Sequence, residues 1–73
     1  MKAYVYDTQK LANIAIDEIN LVMGIPVNNE AITTTYCEPI FNNGKYIILA
    51  NEELIAILGM PIDFEYVEEV KFL

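Results

Sequence analysis

His, Arg, Ser and Trp are absent from the 73-residue chain, and these absences narrow its chemistry before any motif is considered. Imidazole is the usual general base and metal ligand near neutral pH, the serine hydroxyl is a common acyl-transfer nucleophile, and guanidinium is the side chain best shaped to clamp phosphate. Without them, acid–base, triad and phosphoryl-transfer chemistry have few carriers left. The expectation is a protein that is not an enzyme and holds no cofactor.

Cysteine is scarce too. Cys37 stands alone, which excludes an internal disulfide, and without histidine it cannot complete a zinc site of the usual kind. No lysine is adjacent in sequence to lower its pKa, so it reads as a small buried strand residue in preference to a reactive thiol. A cytoplasmic location fits an unpaired thiol. Met1-Lys2-Ala3-Tyr4 lacks the apolar stretch of a signal peptide, and no uninterrupted apolar run approaches the roughly 18 residues that suggest a membrane span.

Positive charge is the third shortage. Four lysines face eleven carboxylates, for a net charge of −7. Such a chain repels phosphate backbones, so nucleic acid is not an expected partner; nor, without a long apolar run, is a membrane. From Asn51 onward Glu52, Glu53, Asp63, Glu65, Glu68 and Glu69 are opposed by Lys71 alone. A basic protein surface is drawn to such an end, although solubility accounts for an acidic surface equally well.

What is present is a hydrophobic fraction of 55%, rich for one small domain covering residues 1–73. Some of that surface is expected to be an interface with a protein partner or with further copies of the chain. Lys2–Tyr6 reads as a strand, Asp7 as an N-cap, and the following helix runs to Met23, where Gly24 and Pro26 stop it. A second strand is expected over Ile32–Phe41. Asn43-Gly44 signals a type I′ hairpin turn into a third strand, Lys45–Ala50. Asn51 caps a short helix ended by Gly59-Met60-Pro61, and a last strand is expected over Phe64–Phe72.

The order β-α-β-β-α-β predicts an α+β two-layer sandwich of the ferredoxin-like, split βαβ kind, with the second and fourth strands at the edges. The alternative is a small antiparallel sheet with one main helix. Alternation about the hairpin sets Phe41 opposite Tyr46 and Ile40 opposite Ile47. Small Ala3 and Val5 suit close packing of the helices, which leaves Tyr4, Tyr6, Phe41 and Tyr46, joined by Phe64 and Tyr66, for an open face. Two readings stand for that face: a docking or dimer surface rich in stiff, amphipathic rings, or rings covering an ordinary edge of the core. Without arginine around them these rings do not suit base stacking.

The first helix is apolar over more than half its circumference, beyond what one sheet can cover. Leu11, Ala12, Ala15, Ile16, Ile19, Val22 and Met23 form the main arc, with Asn13, Asp17 and Asn20 as the polar strip. Ile14 and Leu21 extend the arc past Glu18, either as a partner contact or as a seat for a small helix of the same chain. The acidic pairs Glu52-Glu53 and Glu68-Glu69 are not expected to hold metal: the first suits a helix N-terminus, and neighbours on a strand point to opposite faces.

Leu21 to Pro26, Thr33-Thr34-Thr35-Tyr36, Pro39, Gly44-Lys45-Tyr46, Glu53-Leu54 and Leu58-Gly59 together resemble a pattern in small proteins encoded by bacteriophages and prophages. The resemblance implies no catalytic residues. It implies a short acidic protein that binds and blocks a host protein in the host cytoplasm, or an accessory structural part of the virion. A small-molecule-binding domain is a third possibility. The partner surface expected from these readings comprises Tyr4, Tyr6, Phe41, Tyr46, Phe64 and Tyr66, the acidic Glu65, Glu68 and Glu69, and Ile14, Glu18 and Leu21.

Overall fold

In the computed structural model, which describes residues 1–25 and 35–68, the chain begins as read from its sequence. Strand β1 spans Lys2–Tyr6 and helix α1 spans Gln9–Met23. The N-cap is Thr8 and not Asp7. The Thr8 hydroxyl accepts the Leu11 N–H at 3.2 Å, while the Asp7 carboxylate is turned aside by an ion pair with Lys45. At the other end Gly24 takes φ 73° and the Gly24 and Ile25 N–H groups donate back to Leu21 and Asn20, the Schellman pattern that closes a helix on a left-handed residue.

Strand β2 is Ile40–Asn42 and β3 is Lys45–Leu49, joined through Asn43 and Gly44 at φ 48° and 75°. Both turn residues thus adopt the positive φ that their sequence favours. β2 is far shorter than expected: Thr35 to Pro39 is not strand, Pro39 has no N–H to offer a ladder, and the expected portion 32–34 lies outside the described residues. Helix α2, Glu52–Leu58, is capped by the Asn51 side chain accepting from Leu54 N–H at 2.8 Å.

The expected last strand, Phe64–Phe72, is replaced by β4 at Ile62–Asp63, and its part 69–72 lies outside the described residues. Both limits have a physical cause. Pro61 precedes the strand, and β4 runs antiparallel to β1 toward the chain start, so Phe64 N–H bonded to Met1 C=O at 2.7 Å uses the final rung.

The four strands form one antiparallel sheet in the order β2-β3-β1-β4, with two helices, a small α+β fold. Its register pairs Tyr4 with Ile48, Val5 with Ile47, Tyr6 with Tyr46 and Phe41 with Tyr46. Cross-strand partners share a face, so the aromatics lie on one side and Ala3, Val5, Ile47, Leu49 and Ile40 on the other. The helices pack on the aromatic side: Tyr4 and Ile48 share a buried cluster with Ala15, Ile16, Ile19 and Leu54. This reverses the expectation that Ala3 and Val5 meet the helices. The small residues that permit close approach are Ala12 and Ala15 on α1, leaving room for tyrosine rings from the sheet.

The other face is not bare. Ala3 and Ile47 are fully buried there, and Asn42, which shares that face by register, is nearly so. Asn42 donates to Val67 C=O at 2.8 Å and accepts from Val67 N–H at 2.9 Å, imitating one rung of a ladder. Asn43 adds a bond to Glu65 C=O at 3.1 Å. The chain after β4 is thereby held against the outer face.

Candidate docking surface

The aromatic residues expected to form one surface divide by burial. Tyr4 is 7% exposed and its hydroxyl donates to Gly59 C=O at 2.7 Å, fixing the turn between α2 and β4. Burial raises its phenol pKa. Tyr6 is half-buried at the core margin, and its pKa is raised by burial first, then by Tyr4 and by the Glu18 carboxylate. Tyr4 is therefore a core residue, which corrects its assignment to an open face. Tyr6 packs beside it.

Phe41 differs. It is 61% exposed on edge strand β2, with its ring 4.9 Å from that of half-buried Tyr46 and tilted by 53°. Phe64 is half-buried next to the last rung of β4, while Tyr66, Glu65 and Glu68 are exposed on the segment that Asn42 and Asn43 hold; Glu69 lies outside the described residues. These aromatics do not make one continuous platform. Tyr4 is core, Tyr6, Tyr46 and Phe41 form a cross-strand row from β1 to the β2 edge, and Tyr66 lies on the outer segment.

Helix α1 carries a further exposed apolar surface. Its buried side is Ala12, Ala15, Ile16 and Ile19, together with Asn20, a residue expected in the polar strip. The Asn20 side chain accepts Tyr36 N–H at 2.8 Å and donates to the Thr35 hydroxyl at 3.1 Å, so it ties a distant part of the chain to the helix. Beside Ala15 and running round to the far side, Leu11, Ile14, Leu21 and Val22 are 49%, 56%, 74% and 61% exposed, with Glu18 exposed among them. Leu11 and Val22 were expected in the core arc. Their angular positions lie nearer Glu18 than Ile16, which is the signal that separates them from it. Helix α2 packs against α1 without covering Ile14 or Leu21, so the small-helix account of these two residues does not hold.

Two lysines are engaged locally: Lys2 with Asp63 at 2.9 Å and Lys45 with Asp7. These pairs lower the pKa of both aspartates, chiefly through the hydrogen bond from each lysine. Burial raises the thiol of Cys37, which keeps it protonated at neutral pH. Among the described residues no three acidic or cysteine side chains converge as a metal site. No helix among them is long and apolar enough to cross a membrane. A groove of about 170 Å³ runs along β1 beside Met60, Pro61 and Ile62; apart from the tyrosines Tyr4 and Tyr6, its lining is apolar.

Compared with protein-family models, curated proteins and solved structures, the chain matches none.

Proposed function

We propose that the chain is a non-enzymatic binding domain that occupies a surface on a protein partner, built on a ferredoxin-like split βαβ scaffold. The scaffold is supported by the element order β1-α1-β2-β3-α2-β4, by β2 and β4 standing at the edges, and by a helix following each of the two central strands. One observation carries the functional part. Leu11, Ile14, Leu21 and Val22 keep about half or more of their surface in water, on a helix already anchored through its other side. Large apolar side chains gathered on one exposed stripe favour contact with another molecule.

The lack of His, Arg and Ser supports a role without catalysis. Glu65 and Glu68, exposed on the segment held against the outer sheet face and apart from the α1 stripe, add acidic charge that suits a basic partner, and blockade of a host protein is the activity that the phage-like sequence pattern favours. Two experiments test the proposal. Purified protein is expected to sediment as an 8.3 kDa monomer across the micromolar range. A photo-crosslinking residue at Leu21 is expected to label one protein in the cell that makes the chain, and the same group at Asn13 none. A defined higher oligomer that consumes the α1 stripe overturns the proposal in favour of a structural subunit.

A further inference from the structure

The kind of partner is written in the centre of the α1 stripe, an inference that rests on the docking role proposed above. Leu11, Ile14, Glu18 and Leu21 follow one another at intervals of three, four and three residues, the seam spacing of a helix–helix contact, and Val22 flanks the seam. All five side chains are exposed. The 15 residues of α1 extend over about 22 Å, enough for two heptads of contact.

Glu18 is the exception in this apolar seam. Among the described residues it has no ion-pair partner: Lys2 and Lys45 are held by Asp63 and Asp7, and Lys10 stands about two helical turns away. In water the carboxylate costs nothing. Once a partner covers it, an uncompensated charge inside an apolar contact is expensive to desolvate.

That cost discriminates among occupants. Two copies of α1 packed antiparallel about the seam set each Glu18 against the other copy's Ile14 and bring the two Asp17 carboxylates together. Parallel packing sets Glu18 against Glu18, and either dimer joins chains of net charge −7. A wholly apolar helix covers the carboxylate without pairing it. We infer that the α1 stripe docks an amphipathic helix of a partner protein whose apolar seam is interrupted by one Lys or Arg placed against Glu18. The apolar residues supply contact area, and the ion pair sets register and rejects partners without the cation.

Three synthetic amphipathic helical peptides test this, sharing a leucine seam and differing only at the residue facing Glu18, which is Lys, Leu or Glu. Each is titrated into the ¹⁵N-labelled full chain. The Lys peptide is expected to shift the amides of Leu11, Ile14, Glu18, Leu21 and Val22 and to bind at least tenfold more tightly than the other two. Glu18→Lys is expected to invert the order in favour of the Glu peptide, and Leu21→Asn to weaken all three. Both replaced residues are exposed, and retained amide dispersion verifies the fold of each variant.

Failure to bind any peptide, shifts confined to the outer sheet face, or a wild-type dimer abolished by Leu21→Asn overturns the inference. Binding that requires Leu21 but ignores the residue facing Glu18 overturns the cation requirement alone and leaves α1 as the docking face. Loss of crosslinking at Leu21 in the cell is the separate result that removes the docking role itself.

Discussion

Tyr4→Ala and Phe41→Ala separate the two roles open to an aromatic side chain on this sheet. Tyr4 is almost fully covered by α1 and α2 side chains, whereas most of Phe41 is in water. Truncating a packed aromatic costs about 3–5 kcal/mol, the lost transfer energy plus the cavity left behind. At roughly 0.05–0.15 kcal/mol per residue, a domain of this length has only about 4–11 kcal/mol of net stability, so Tyr4→Ala removes a large part of it. Phe41→Ala forfeits little more than its ring pair with Tyr46, about 1 kcal/mol. Tyr4→Phe isolates the hydroxyl bonded to Gly59 and is expected to cost about 1 kcal/mol, because exposed Gly59 can turn its carbonyl to water. Urea unfolding followed by circular dichroism reads all three. With a slope near about 1 kcal/mol per molar for so small a chain, Tyr4→Phe lowers the midpoint by about 1 M, and Tyr4→Ala leaves little or no folded baseline. If Tyr4→Ala and Phe41→Ala unfold at the same urea concentration, Tyr4 is not in the core and the assignment of the inner face is wrong.

The same tyrosine sets an alkaline limit. Its folded pKa lies above the unfolded value of 10.0, so the stabilisation it confers is full below pH 10 and is lost as pH rises through the folded pKa; Tyr4→Phe should flatten that part of the stability curve. Asp7 and Asp63 act with the opposite sign: their lowered pKa values give stability present above about pH 4 and lost on acidification, and a double Asn variant should show a shallower acid limb in a pH series of thermal melts. Asn42→Ala removes both bonds to Val67 and is expected to cost about 1–3 kcal/mol, with hydrogen exchange at the Val67 amide accelerating more than at Ile48; equal acceleration refutes a local clamp. Gln at Glu65 and Glu68 should slow association with a basic partner and reduce its salt dependence in stopped-flow binding, leaving dissociation nearly unchanged; an association rate indifferent to both refutes steering.

Local chemistry made much of the fold legible. Gly24 and Gly59 after apolar runs, Asn51 before Glu52-Glu53, and Asn43-Gly44 between alternating residues each act within a few positions, so β1, both helices and the hairpin register follow from short-range rules. The excess apolar arc of α1 was legible too, because no single sheet face covers so wide a stripe.

The remaining features depend on residues far apart in the chain. Alternation divides a sheet into two faces but does not say which one a helix covers; that was decided by Ala15 on α1 and Leu54 on α2 packing with Tyr4, and by the Gly59 C=O accepting its hydroxyl. The position and length of β4 depended on where β1 begins, and the burial of Asn20 and Asn42 on partners at Tyr36 and Val67. The amino-acid sequence by itself determined β1, both helices, the hairpin turn and β3, since caps, turn residues and periodicity act through neighbouring backbone groups, but not the extents of β2 and β4. Only the tertiary structure decided which apolar residues became core and which stayed exposed on α1, because burial is a property of what packs against a side chain and not of the side chain alone.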